Sequence, residues 1–457
     1  MRLITDLSSD NIKGLVWSLA IPSMLSQLVS VLYSIVDRMY IGNIPGYGET
    51  ALAGVGVCGP IVTLISSFAF LVGIGGSPLV SIKLGEGKVR DAKKVVANCF
   101  VFLLALSVLV TILAFIFRRP ILITFGASEA LYPYAESYFS IYLLGTVFAL
   151  IATGMNQFII TQGFSKNGML SVLIGAVANI ILDPIFIFVF DMGVAGAAIA
   201  TVISQIASCA YVLWFLLSGN VIVPITFGGY DLKIIGRVTM IGMSSFLIIL
   251  FDNVMLISLN MMLQSRGGEG YGDMLLTCNT IVQSFELLIT MPLGGLTMGT
   301  QTILGYNLGA RRPDKILKAQ RIIFLMAAAF CAVMFLAAQF IPQVFARIFT
   351  QNPEYIDMTA RLIRIYTLGT ITLAIQYAIV DGFTGMAQVK LALPLSAFRK
   401  VVYFAALFWL PAAFGARAVF YAEPVSDVLG PIASVIIYAV FIKKILDFPA
   451  APRHHEG

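Results

Sequence analysis

Five carboxylic acids fall well inside long apolar stretches of this chain, away from their first residues: Asp37, Asp183, Asp252, Glu286 and Asp381. An ionised carboxylate at the centre of a membrane helix costs about 2.5–3.5 kcal/mol to insert. Such a group must face a watery cavity, pair with a base or carry a proton, and the chemistry it offers is reversible binding of a proton or Na+. In the first half, Asn179 and Asp183 are four residues apart and share one helix face. Pro184 follows directly and frees backbone groups beside the acid. Asp37 shares its apolar run with Pro22, about four turns earlier, which is the expected hinge. Asn156, beside Gln157, and Thr201 come from neighbouring runs. Asp37, Asn156, Asn179, Asp183 and Thr201 together read as a cation-coupling site. A fixed hydrogen-bond network that locks helices together is the competing reading of the same residues.

The second half carries a different set. Asn279, Gln283 and Glu286 form one polar stripe at i, i+4 and i+7. Asp252 precedes Asn253, Tyr377 and Asp381 sit one turn apart, and Arg399 with Lys400 lies about ten residues into an apolar run. Bases that deep need acid partners, and Glu286 and Asp381 are the expected ones. Asp252, Asn279, Gln283, Glu286, Tyr377, Asp381 and Arg399 are therefore the candidates for a substrate or second ion site, with structural ion pairing as the alternative. Methionines and aromatics such as Met255, Met261, Met262, Met291, Phe158 and Phe285 could line an adaptable pocket for flat cations. For any one of them, packing or lipid contact is the better reading.

The elements that carry these residues are set by composition. The 457 residues are 59% hydrophobic and 11% charged, with a mean hydropathy of +0.93. Soluble domains carry roughly 25% charge, so a membrane is the solvent that fits. Apolar runs of helix-spanning length fall near 15–42, 50–82, 95–117, 135–160, 168–190 and 194–217, then near 234–264, 274–305, 318–342, 361–386, 390–414 and 425–446. The expected fold is an all-α integral membrane protein of twelve transmembrane helices. It divides into a six-helix bundle over 1–217, a connector over 218–233 and a second six-helix bundle over 234–457. The net charge of +6 sits largely in loops, which argues for membrane topology rather than nucleic-acid binding. With the amino end inside, the inner loops collect most of the Lys and Arg, among them Lys83, Lys88, Arg90, Lys93, Lys94, Arg311, Arg312, Lys315 and Lys318, with Arg2 and Arg453 in the tails. The outer loops keep Arg118, Arg119, Arg266, Arg347, Arg361, Arg364 and Arg417. Both termini are therefore expected in the cytoplasm.

The two halves repeat each other. LGEGKVRDAKK (84–94) after the second run matches LGARRPDKILK (308–318) after the eighth, and QGFSK (162–166) after the fourth matches DGFTG (381–385) after the tenth. Six helices per copy insert the same way up, so the pseudo-axis runs along the membrane normal. Other chemistries find no support. Gly54, Gly56 and Gly59 match a dinucleotide fingerprint in letters, yet no strand precedes them, and helix packing explains them. The GEGK of 85–88 lacks the spacing of a phosphate loop. Cys58, Cys99, Cys209, Cys278 and Cys331 are dispersed, which argues against a disulfide framework or zinc site. His454 and His455 stand in a polar tail, so a His-dependent enzyme is not expected.

Several segments carry a family likeness: IPSMLSQLVSVLYSIVDRMYIGNI (21–44), ALAGVGVCGP (51–60), LGEGK (84–88), QGFSKNG (162–168), ANIILDP (178–184) and DGFTG (381–385). In this order they resemble the multidrug and toxic compound extrusion (MATE) family over nearly the whole chain, and its MepA-like bacterial branch in particular. The resemblance implies a V-shaped antiporter of two pseudo-symmetric six-helix bundles that works by alternating access. It would export cationic or aromatic drugs against an inward flow of H+ or Na+. It assigns the amino-half ion site to Asp37, Asn179 and Asp183, with Asn156 and Thr201 beside them and Pro22 at the bend, and it matches Asp381 to the carboxyl-half acids of other members. No cofactor beyond the coupling ion is implied, and a monomer in a bacterial plasma membrane, in contact with lipid, is expected. A flippase for lipid-linked precursors shares this plan, although the acid excess argues against a basic cavity. A receptor or scaffold without transport is the reading from another class.

Overall fold

The computed structural model describes residues 6–219, 221–267 and 271–447. Arg2, Arg453, His454 and His455 lie outside them. Among the described residues, twelve helices are long and apolar enough to cross a membrane. In the first half these are α1 (Ile12–Gly42), α2 (Gly48–Gly85), α3 (Val89–Ile116), α4 (Tyr132–Thr161), α5 (Ser165–Pro184) and α6 (Gly193–Leu217). In the second they are α7 (Leu232–Gly267), α8 (Tyr271–Gly309), α9 (Pro313–Phe340), α10 (Pro353–Gly385, with a 3-10 turn at Thr367–Gly369), α11 (Val389–Phe414) and α12 (Ala422–Leu446). The first two helices of each half are the longest, as their apolar runs imply.

Chain chemistry marks many of the ends. The Asn11 side chain accepts from the Gly14 N–H at 3.0 Å to start α1, and Asn352 accepts from Glu354 N–H at 3.0 Å to start α10. Pro313 and Pro353 stand at the first turns of α9 and α10, where a missing N–H costs nothing. Pro22 lies inside α1, which runs through it as one helix. Beyond Pro184, α5 continues as a single π turn over Ile185–Val189. Outward faces carry the lipid belt, with Leu109, Ile112 and Ile116 of α3 and Leu325, Val333 and Phe340 of α9 among the exposed apolar residues.

The repeat is visible in backbone conformation. Gly87 after α2 and Arg311 after α8 both take positive φ, as do Gly163 after α4 and Ala387 after α10. The spacing between the members of the first pair equals that of the second. This corrects one sequence match. The partner of the turn in QGFSK is Met386–Ala387–Gln388, and DGFTG belongs to the preceding helix. The glycine cue misleads there because an alanine holds the left-handed position.

Both described ends and the connector lie on one face, called the connector face here. Side-chain amides hold the connector down. Gln162 accepts from Val223 N–H at 2.6 Å and donates to Val223 C=O at 3.1 Å. Asn98 accepts from Asp231 N–H at 2.8 Å and donates to Gly229 C=O at 3.2 Å. The halves join on this face. Ile12, Leu15, Val16, Leu19 and Ala20 of α1 are buried in one cluster with Leu293, Leu296, Ile303 and Leu304 of α8 and Ile316 and Ala319 of α9. Leu7 joins that cluster, and Lys315 reaches back to Asp10 at 2.5 Å and to the carbonyls of Ser8 and Ser9. The hydrogen bond and charge of Lys315 hold the Asp10 carboxyl below its ordinary value. The contact is therefore complete above the usual carboxylate range and weakens only as pH falls through that lowered value, so it does not switch between pH 5 and 8.

Toward the other face the halves part. Met255, Leu259, Leu263, Leu275, Phe285, Tyr403 and Leu407 form a core that, among the described residues, contains no member of α1–α6. Joined at the connector face and separate beyond it, the two bundles form a V. Its apex depends on glycine: a Cβ on Gly85 would stand 1.9 Å from the Tyr306 carbonyl oxygen, and one on Gly309 2.1 Å from that of Ile82. Gly85→Val is expected to leave insertion intact but hold this seam open. A cysteine placed at Ser77, which lines the small void in the seam, should then react several-fold faster with a water-soluble thiol reagent. An unchanged rate would show that the seam tolerates the side chain.

Candidate functional site

α1 and α5 run side by side in the same direction. At the connector end Ser165 Oγ donates to the Leu19 carbonyl at 3.0 Å and lies 2.9 Å from Ser23 Oγ. At the other end the same two helices bring Asp37 and Asp183 together, their carboxyls within hydrogen-bonding reach of each other. Asn179, one turn before Asp183, donates from Nδ2 to Asp183 Oδ1 at 3.0 Å and to Thr201 Oγ1 of α6 at 3.5 Å. Three oxygens in this group, Asp37 Oδ1, Asn179 Oδ1 and Asp183 Oδ2, are buried with no hydrogen-bond partner. Among the described residues no salt bridge reaches either acid. Tyr138 of α4 lies beside Thr201 and within electrostatic reach of Asp37, and Tyr33 stands one turn before Asp37. These two tyrosines belong to the wall of the site and were not among the sequence candidates. The i−4 relation of Tyr33 to Asp37, and for Tyr138 only its place in an apolar run, are the signals the sequence carries for them.

The structure thus gathers Asp37, Asn179, Asp183 and Thr201. It does not bring in Asn156, whose Oδ1 accepts from Ser171 Oγ at 3.2 Å. Ser171 precedes Asp183 on α5 by roughly 18 Å of helix rise. Asn156 therefore serves the α4–α5 contact near the connector face, away from the acids.

The second bundle holds a larger polar network, with partners other than those expected from sequence. Arg399 of α11 donates from Nη1 to Glu423 Oε1 at 3.0 Å and to Asp427 Oδ1 at 2.5 Å, both on α12. Lys400 donates to Asp252 of α7. Glu286 and Asp381, the expected partners, bond neither base. Asp381 instead accepts from Thr297 Oγ1 of α8 at 2.5 Å, near the connector face. The polar stripe of α8 also divides. Asn279 donates to Asn260 Oδ1 at 3.0 Å, and Gln283 donates at 3.1 Å to the Tyr366 hydroxyl, which in turn donates to Glu423 Oε2 at 3.3 Å. Among the described residues no hydrogen bond or ion pair holds the Glu286 carboxyl, which lies in the field of Glu423, Asp427, Arg399 and Lys400. Tyr377 is within electrostatic reach of Arg399, Asp252, Asp381 and Glu286, which makes these groups one connected interior.

Glu423 was missed because it precedes the twelfth apolar run, read from about 425, and Asp427 because it stands at the very edge of that run. The 3-10 turn Ala416–Tyr421 leads directly into α12, so both acids sit on its first two turns, buried against α11. Their i, i+4 spacing was the available signal. Phe158, Met255 and Phe285 are core residues, in line with packing, while Met261 is exposed. Among the described residues, no cluster of three or more His, Cys, Asp or Glu is arranged to hold a metal ion.

Twelve spanning helices in two joined bundles, with buried acids in each, define a multi-pass membrane protein with a polar interior. A family model described as MatE matches residues 22–185 and again 246–409, with the same offset as the paired turns. The chain belongs to this family, the MATE multidrug efflux transporters. It is 25% identical over 426 residues to "Multidrug export protein MepA" of Staphylococcus aureus strain MRSA252, covering 92% of this chain and 91% of that one. It is likewise 25% identical over 431 residues to the MepA of Staphylococcus saprophyticus. Among solved structures it is similar to an outward-facing multidrug resistance MATE transporter of the MOP superfamily, with a TM-score of 0.90 at 21% identity over 97% of this chain and 99% of that one. A MOP superfamily transporter from Pyrococcus furiosus gives a TM-score of 0.89 at 22% identity, over 97% and 98%.

Proposed function

We propose that this chain is a secondary active exporter that moves cationic organic compounds out of a bacterial cell in exchange for inward H+ or Na+. The observation that carries the reading is the meeting of Asp37 and Asp183 with three buried oxygens left without donors. An ionised carboxylate only accepts hydrogen bonds, so two of them in contact need a proton or a cation between them. The four groups fit either ion: a proton shared between carboxyls, or Na+ held by carboxylate, amide and hydroxyl oxygens. α1 carries Asp37 beyond the apex of the V, and its connector half packs into the second bundle. Charge and hydrogen bonding at Asp37 can therefore bias how the bundles sit, which is what alternating access requires.

The basic connector face is cytoplasmic in this reading, both termini are inside, and the V opens outward. Residues 1–217 and 234–457 are the two moving bundles, 218–233 is the link on which they turn, and the transporter acts as a monomer. Asp252, Asn279, Gln283, Glu286, Tyr377, Asp381 and Arg399 line or support the half that receives the substrate, with Pro22 letting α1 flex. In proteoliposomes, an imposed H+ or Na+ gradient should accelerate ethidium movement well above that of empty vesicles, and the effective gradient names the ion. Ethidium flux at the empty-vesicle rate under both gradients would overturn the proposal.

A further inference from the structure

Arg399 and Lys400 are neighbours in sequence, yet their ion pairs differ in kind. The Arg399 side chain is 11% exposed and its acids Glu423 and Asp427 are 7% and 3% exposed. That group is sealed. Lys400 is 5% exposed, but the Asp252 side chain it bonds is 49% exposed. The carboxylate is thus open on one side and neutralised from behind by an ammonium on a flexible stem. Asp252 is turned toward α11, where the buried Lys400 ammonium bonds it, and it lies within electrostatic reach of Tyr377, Arg399 and Tyr403. Among the described residues Asp252 is the one hydrogen-bond partner of the Lys400 ammonium. Glu286, held by no hydrogen bond or ion pair among those residues, lies in the field of Lys400.

We propose that Lys400 is a tethered cation that occupies Asp252 in competition with the cation being carried, and so sets the affinity of the second bundle for its substrate. An ammonium is a compact charge with rotatable donors, and it exchanges partners more readily than a forked guanidinium. A monocationic substrate entering from the open side takes the Asp252 carboxylate, and the displaced ammonium passes to the field of Glu286 and Asp427 rather than being stranded. A closed V returns the lysine to Asp252 and expels the substrate. The inference rests on the proposed export of organic cations.

The test is equilibrium binding of ethidium to purified protein at one fixed pH, read by fluorescence polarisation, with folding of each variant checked by its melting transition. Lys400→Gln should bind ethidium about tenfold more tightly than wild type, the scale of one close charge pair. Lys400→Met, which keeps the volume, should do the same if the glutamine variant fails to fold. Lys400→Arg should stay within about threefold of wild type, because it keeps the charge. In an Asp252→Asn background the gain on losing Lys400 should vanish. Unchanged or weaker binding by both neutral variants would overturn the inference while leaving the export reading in place, and so would an equal gain without Asp252. Absence of ethidium binding by the wild type would overturn both.

Discussion

The double variant Asp37→Asn, Asp183→Asn is expected to insert and fold at least as well as the wild type while losing cation-driven export by two orders of magnitude or more. The two consequences have opposite signs for one reason. Each buried carboxylate raises the cost of placing its helix in the membrane, on the order of 2.5–3.5 kcal/mol if it is charged at mid-depth. An amide of the same shape removes that cost and keeps an oxygen at position 183 to accept from Asn179 Nδ2. What the amide cannot do is take up and release an ion. A network that merely locks α1, α5 and α6 together would behave otherwise, with stability and transport falling together. Melting temperature and gradient-driven ethidium flux, measured on the same preparation, separate the two. Retained flux with intact ion dependence would remove the coupling role from these acids.

The membrane-spanning plan was legible because a bilayer imposes it: a helix that must bury its backbone in lipid announces itself as about twenty apolar residues. Parts that serve other needs were less visible. α10 begins at Pro353, well before the apolar run at 361, because its first turns are amphipathic and carry Glu354, Asp357 and Arg361. A hydropathy window averages that pattern away, although Asn352 and Pro353 mark the start. The register of the second repeat was misread at Ala387, where backbone conformation is shared but the glycine is not. At the candidate site, Asp183 and Asn179 could be paired from their spacing on one helix, and Asp37 and Thr201 come to them from other helices. The partners of Arg399 and Lys400 could not be assigned in this way. They depend on how α7, α11 and α12 rotate against one another, and five acids compete for two bases.

That competition makes Arg399 the residue whose loss should damage the fold most. One guanidinium holds Glu423 and Asp427, and the Tyr366 hydroxyl donating to Glu423 and Gln283 donating to Tyr366 extend the arrangement to α8 and α10. Removing the base leaves two nearly inaccessible carboxyls with no counter-charge, a change that costs about 3–5 kcal/mol in buried pairs. Arg399→Met is therefore expected to lower the melting temperature sharply and to cut yield from the membrane. Arg399→Lys should recover only part of the loss, because an ammonium lacks the planar fork that reaches two carboxylates at once. The decisive variant is Arg399→Met with Glu423→Gln and Asp427→Asn, which neutralises the group as a whole. Buried ion clusters replaced entirely by neutral side chains are often as stable as the original, so this triple variant should melt near the wild type. If it melts as low as Arg399→Met alone, packing of the arginine stem rather than stranded charge holds α11 to α12. If instead Arg399→Met melts like the wild type, the two acids are already neutral when the arginine is present, and the second bundle carries fewer charges than its side chains imply.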